Sequence, residues 1–342
     1  MPDGLVRRFP LDRPLALEAV VGIHLRGSGD PTMRIGGGLV ARAAWMASGA
    51  STVILRLADR GATLEAEAHG PGAEEALARV PALAGLDDDD GPFQPGLHPA
   101  IAALARSHPG IRIGRTGAVF GALVPAVLEQ KITGTEAWRG HRRLIRAIGV
   151  AAPGDLGLWM PPTSQDLARL PSWTFPSVGI EPRRGTLLRR LALDGSRLEA
   201  LAARAREEGA GGQGATELDQ RLRAYPGIGP WTSAEVRLRT LGDPDAVSLA
   251  DAHLPNVVAW TLAGEPRATD ERMLELLAPW AGQRARVIRL LELSGRTPPR
   301  YGPRIAPRDL TELTPRAALG DARTGGQPGG RRPSGGRSRA IR

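Results

Sequence analysis

Two features of this chain carry residue types suited to chemistry. One is the run Leu222-Arg223-Ala224-Tyr225-Pro226-Gly227-Ile228-Gly229-Pro230-Trp231-Thr232; the other is the carboxylate of Asp251, 22 positions beyond Gly229. Pro226-Gly227-Ile228-Gly229 lies between two helical segments and is so short that the backbone must bend sharply, a bend for which glycine supplies positive φ. The expected product is a helix-hairpin-helix. The unsatisfied N–H groups and dipole at the start of its second helix form a phosphate site that reads no base. Pro226, Gly227, Ile228, Gly229 and Thr232 are therefore candidate DNA-backbone contacts. Asp251 stands ahead of an apolar-periodic run, Leu254, Val257, Val258, Trp260 and Leu262, where the positive end of a helix favours an anion. By residue type alone it reads first as a helix N-cap, and the hairpin with its spacing makes it an anion poised for catalysis; the two roles are compatible.

The order hairpin, helix, Gly242-Asp243-Pro244 turn, Asp resembles the helix-hairpin-helix DNA glycosylases, and within them the AlkA-type 3-methyladenine DNA glycosylase II group. His108-Pro109-Gly110-Ile111-Arg112-Ile113, Ala126-Val127-Leu128-Glu129-Gln130 and Pro279-Trp280 follow in the family's order, and the likeness covers roughly residues 10–295. It implies a mainly α fold: a small α+β domain with an antiparallel sheet, then an all-α helix-hairpin-helix domain of two helical subdomains with a cleft between them. The implied activity is that of a monofunctional glycosylase of base excision repair, releasing alkylated purines from double-stranded DNA to leave an abasic site. A non-catalytic damaged-DNA binder with the same hairpin, or a glycosylase for a different lesion, are the alternatives; a lyase-type glycosylase is a weaker third.

Breaking an N-glycosidic bond passes through a sugar with oxocarbenium character, so the site needs an anion near the anomeric carbon. The resemblance assigns that role to Asp251. Two residues beyond Gly229, the family's lyases carry a Schiff-base lysine; here the residue is Trp231, and Lys131 is the only lysine of the chain. Base chemistry also requires flipping the nucleotide into a pocket, for which the resemblance nominates Gln130, Trp231 and Trp280. An indole face attracts a cationic base by about 0.5–2 kcal/mol. Lys131, at the family's wedge position, and His253 are further candidate DNA contacts. Three departures bear on substrate range: Ala252 where the family has an aromatic, Glu235 where it has a tyrosine, and Lys131 in place of an apolar wedge. No histidine spacing suggests a metal, and no cofactor is expected beyond a monovalent cation that the resemblance places on hairpin carbonyls.

These residues must be positioned by elements that the rest of the sequence encodes. Alternation at Thr63–Ala68 and the apolar run Ser51–Leu57 predict strands, and Ala73–Ala84 a helix, within a domain over 1–95. From 96 to 304 helical periodicity dominates: Pro99–Arg106, Ala118–Ile132, Glu136–Ile148, Gln165–Leu170, Arg184–Leu193, Ser196–Glu208, Glu217–Ala224, Thr232–Leu241, Asp251–Leu262 and Asp270–Leu293. Thr163 with Asp166 and Thr216 with Asp219 have capping-box spacing. Asp87-Asp88-Asp89-Asp90 reads as a solvated linker.

Composition narrows the function class. Absence of cysteine excludes a thiolate-held iron–sulfur cluster and so the cluster-bearing branches of the superfamily. The net charge of +9 is uneven: from Arg296 to Arg342 eleven arginines face Asp309, Glu312 and Asp321, a balance of +8. DNA affinity in the body of the chain must come from local arginines such as Arg142, Arg143, Arg183, Arg184, Arg189 and Arg190. The Arg/Gly/Pro-rich tail over 305–342 is expected to be disordered. With no bilayer-length apolar run and no apolar leader, a monomeric, cytoplasmic, nucleoid-associated protein is expected, with no membrane partner.

Overall fold

The alternation at Thr63–His69 becomes a strand with Leu64, Ala66 and Ala68 buried. It is the last of five strands among the described residues: β1 (Leu5–Pro10), β2 (Met33–Gly36), β3 (Leu39–Met46), β4 (Gly49–Ala58) and β5 (Thr63–His69). They form one antiparallel sheet in the order β1-β5-β4-β3-β2. β1 escapes periodicity because it is an edge strand that leaves Leu5 and Val6 exposed. The computed structural model describes residues 4–208 and 212–299, so the tail over 305–342 lies outside the described residues.

One face of the sheet packs Val40, Val53, Leu55 and Leu64 against α1 (Leu17–Val21), α2 (Ala73–Ala78) and α3 (Val80–Leu83). On the other, Ala41, Ala43 and Ile54 meet Leu158 and Met160. The remaining chain is helical: α4 (Pro99–Ser107), α5 (Val119–Leu128), α6 (Gly134–Ile148), α7 (Ser164–Arg169), α8 (Thr174–Ser177), α9 (Pro182–Leu193), α10 (Gly195–Glu208), α11 (Gln213–Arg223), α12 (Pro230–Leu241), α13 (Leu254–Ala263), α14 (Asp270–Leu277) and α15 (Arg284–Leu293).

Two separate apolar cores hold these helices. The larger gathers residues of α5–α12, among them Leu123, Leu144, Phe175, Leu188, Leu218 and Val236. The smaller joins α4 to α13–α15 through Ile101, Leu104, Val258, Met273, Leu277 and Leu291. Ala234 and Leu238 of α12 bridge them with Ile113, Ala246 and Ala285. A crevice between two such bodies is where a fold of this kind can hold a ligand.

Several expectations need correction. The run Asp270–Leu293 is interrupted: Pro279 sits in a 3-10 turn, Ala278–Trp280, and Gly282 takes a left-handed φ of 87° before α15. Thr163 and Asp166 do form a capping box on α7, but Thr216 and Asp219 do not. α11 begins earlier, on Gly212, and Asp219 instead accepts the Ser233 hydroxyl at 2.6 Å. The four-aspartate run is no solvated linker. Asp88 accepts the Ile113 N–H at 2.9 Å and two Arg286 donors at 2.7 and 2.8 Å, with the two side chains only 7 and 3% exposed. Asp87 pairs with Arg115 and Asp90 with Arg13. The segment straps the sheet domain to α15.

Candidate active site

The hairpin between α11 and α12 is built as its residue types require. Ile228, 6% exposed, anchors the turn in the larger core, and its N–H bonds to the Tyr225 carbonyl at 2.9 Å. Pro226 and Gly227 lie at the tip, Gly227 exposed. Gly227 has φ 104°, and a Cβ there would also come within 3.1 Å of Leu187, so glycine is needed. Pro230 opens α12, where its missing N–H costs nothing. The first main-chain bond of the helix runs from Ser233 N–H to Gly229 C=O at 3.1 Å. The N–H groups before it are the unpaired donors of a helix start.

Gln130 locks this turn. Its Nε2 donates to the Gly227 carbonyl at 3.0 Å and to Thr232 Oγ1 at 2.9 Å, and its own main-chain carbonyl accepts from Arg184 at 2.6 Å. Thr232, expected at the DNA surface, is 2% exposed. Its hydroxyl serves the Gln130 clamp, and only its N–H belongs to the hairpin's donor set. Arg184 likewise spends its charge on Glu181 and Gln130. Lys131, next to the clamp, is exposed with a left-handed φ of 54°.

α12 ends at Gly242, left-handed at φ 70°, and the returning loop reaches Asp251 through Ala250, which holds φ 64° while its N–H binds Asp270 at 2.7 Å. Left-handed alanine is strained, a cost that recurs at functional sites. Asp251 Oδ1 accepts the N–H groups of His253 and Leu254 at 2.7 and 2.8 Å, and Oδ2 accepts Trp231 Nε1–H at 2.9 Å. Three N–H donors thus fix both oxygens of one carboxylate between the start of α13 and the first turn of α12. His253 is exposed beside it.

Asp251 borders a cavity of about 250 Å³ between α12, α13 and α15. From α12 come Glu235 and Arg239, from the loop Ser248, and from α15 Arg289 and Glu292. Glu235 accepts the Ser248 hydroxyl at 2.6 Å and Arg239 Nη1 at 2.6 Å. Burial disfavours the Arg239 charge, but Glu235, Glu129 and Glu292 more than restore it, and the guanidinium is held above its ordinary range.

No family model matches the chain. A Bacillus subtilis DNA-3-methyladenine glycosylase is 25% identical over 198 residues, 57% of this chain and 64% of that protein. A Mycobacterium tuberculosis protein named as a probable bifunctional transcriptional activator/DNA repair enzyme AlkA is 30% identical over 171 residues, 46% of this chain and 30% of its own. The chain thus spans less than two thirds of the length of these curated relatives. Among solved structures, a 3-methyladenine DNA-glycosylase from Archaeoglobus fulgidus superposes with TM-score 0.71 at 19% identity, over 84% of this chain and 97% of that one. An 8-oxoguanine glycosylase/lyase from Clostridium acetobutylicum, in complex with double-stranded DNA, gives 0.64 at 14% identity over 85 and 94%. The chain shares the fold of these two DNA glycosylases.

Within that glycosylase fold the structure joins Asp251, Trp231 and the hairpin, but not every nominated pocket residue. Trp280 is 4% exposed in the smaller core, with Nε1 bonded to the Gln94 carbonyl at 2.8 Å. It does not line the cavity, and neither does Gln130. Trp231 reaches the site only through Asp251. The carbonyls of Tyr225, Gly227 and Gly229 each accept one hydrogen bond, from Ile228, Gln130 and Ser233. The cavity-lining Arg239, Ser248 and Arg289 were not nominated by sequence. Trp231, Glu235 and Arg239 recur every fourth position, on one face of α12, a spacing that points to the other two once Trp231 is placed beside Asp251.

Proposed function

We propose that the chain is a monofunctional DNA glycosylase of base excision repair, acting as a monomer on double-stranded DNA and releasing N-alkylated purines such as 3-methyladenine. The observation that carries this reading is the Asp251 carboxylate, fixed by Trp231 and the start of α13 at the edge of a base-sized cavity beside a phosphate-gripping hairpin. The named relatives and the shared fold support it.

The hairpin N–H groups hold the backbone without regard to sequence. Lys131 and His253, both exposed, contact the duplex, and the flipped nucleotide enters the cavity. As the C1′–N bond breaks, its electron pair goes to the base; a cationic base becomes neutral on leaving and needs no strong acid. Asp251 stabilises the positive charge developing on the sugar. Water forms the new C1′–O bond and releases one proton to solvent, which carries away the charge the cationic base brought in. With Trp231 at the lyase position and Lys131 the sole lysine, the strand stays intact.

Release of free bases from dimethyl-sulfate-treated duplex DNA, resolved by chromatography, tests the reading. Wild type is expected to release 3-methyladenine without a borohydride-trappable adduct. Asp251→Asn is expected to lower the single-turnover rate by several orders of magnitude while still binding lesion DNA. Base release within a few-fold of wild type in that variant would sink the assignment.

A further inference from the structure

Among the described residues the cavity beside Asp251 is lined by one ring, that of His253, and by no Phe, Tyr or Trp, so the choice of base falls chiefly to its polar groups. Glu235 is one of these groups, and the most firmly held. Ser248 Oγ donates to Oε1 and Arg239 Nη1 to Oε2, both at 2.6 Å, and the side chain is 15% exposed. Arg239 is itself anchored by its Nε on the Ile23 carbonyl at 3.1 Å. The carboxylate is therefore held in one orientation from both ends, the condition under which a side chain discriminates between ligands.

Glu235 contributes acceptors more than net charge. Arg239 neutralises it, and the neighbouring Arg289 and Glu292 neutralise each other. An ionised carboxylate has about four lone-pair sites, and the two protein donors occupy two. What remains is a pair of acceptors on a fixed fork. A guanine-type base presents N1–H and the exocyclic N2–H side by side and satisfies such a fork with two parallel bonds. An adenine-type edge presents one amino donor beside the N1 lone pair, which would face a carboxylate oxygen. Leaving buried polar groups mismatched is what makes such sites selective.

We propose that Glu235 is the specificity-determining residue of this cavity and selects guanine-derived lesions over adenine-derived ones by accepting the N1–H and N2–H donors. The inference rests on the glycosylase reading above and narrows its substrate class.

Duplex DNA treated with dimethyl sulfate carries 7-methylguanine and 3-methyladenine together. Both are cationic, so the comparison holds base charge constant. The full chain is mixed with this DNA in single-turnover excess, and both free bases are timed in the same reaction. Glu235→Gln replaces one acceptor by a donor and is expected to lower the ratio of 7-methylguanine to 3-methyladenine release rates by roughly tenfold or more, the scale of one bidentate base contact. Because Glu235→Gln also weakens the Arg239 pair, Ser248→Ala is run beside it. That variant keeps the ion pair, frees only Oε1, and is expected to narrow the ratio in the same direction. The ratio is internal to each reaction and does not depend on how much protein is folded. An unchanged ratio in Glu235→Gln, or one shifted toward 7-methylguanine, would overturn this inference while leaving the glycosylase reading intact. Release of neither base by wild type would overturn both.

Discussion

Trp231 bears on the candidate site through its neighbour. Its indole N–H holds Asp251 Oδ2, and a hydrogen bond to a charged group contributes about 1.5–3 kcal/mol. Trp231→Phe keeps an aromatic ring and removes the donor. Single-turnover base release is expected to fall about 10- to 100-fold, with thermal stability and affinity for lesion DNA close to wild type; a rate within twofold would mean that the bond does not position Asp251. Trp280 belongs to a different account. Buried in the core of α4 and α13–α15, it should on truncation to Ala cost about 3–5 kcal/mol of stability, read from urea midpoints. Loss of base release should then track loss of fold, without distinguishing cationic lesions from neutral ones. A selective loss on cationic bases at full stability would return Trp280 to the pocket.

The hairpin is the element on which the proposed DNA grip depends, and its two glycines are not equivalent. Gly227 is left-handed and faces Leu187, whereas Gly229 has φ −99° and open space, with nothing within 4 Å of where a Cβ would stand. Gly227→Val is expected to lower both the melting temperature and the affinity for damaged and undamaged DNA. Gly229→Ala is expected to leave the melting temperature unchanged and weaken binding only where the extra methyl group obstructs the approach of a phosphate. Differential scanning fluorimetry with fluorescence anisotropy on both DNAs separates the two effects. Unaltered affinity in both variants would show that the anchor lies elsewhere. The Gln130 clamp gives the same element a second support, since it ties the tip of the turn to the end of α5.

At the scale of the whole molecule, the seam between the sheet domain and the helices contains two histidines, His141 buried and His24 half-buried. Burial pushes His141 down to about 4, with Asp30 opposing and Arg26 assisting. His24 is driven well below its ordinary value, first by burial and then by Arg42, Arg239, Arg26 and Arg289. Both titrate near 6.5 when unfolded, so below that pH the unfolded chain binds more protons than the folded one. The contribution of His141 is fully present above about pH 6.5 and is lost as pH falls toward 4, at up to about 1.4 kcal/mol per pH unit, and His24 acts in the same direction. Urea midpoints are therefore expected to fall between pH 7 and 5, and to fall less steeply in His141→Asn. Half-buried Glu199 and buried Asp243, both raised by desolvation, act with the opposite sign, so the difference between variant and wild type is the quantity to measure. Identical slopes would show that His141 does not sense pH.

Local rules alone placed much of this protein. Pro-Gly-Ile-Gly forces a bend wherever it occurs, Thr163 caps α7 through its own near neighbours, and the alternation at Thr63–His69 can face a core in only one register. The spacing from the hairpin to Asp251 likewise set a carboxylate at the start of α13, because one helix and one glycine-ended turn span that interval. The fate of polar and aromatic side chains was decided only by the fold. Trp280 finds its acceptor on Gln94 and Asp88 its cations on Arg286, 186 and 198 positions away. Asp219 turns from helix capping to Ser233 of the next helix, and Gln130 from a pocket wall to a clamp on Gly227. Periodicity records which face of an element is buried. It carries no information on which distant group meets that face, and for a charge or an indole N–H, burial is tolerable only with that partner in place.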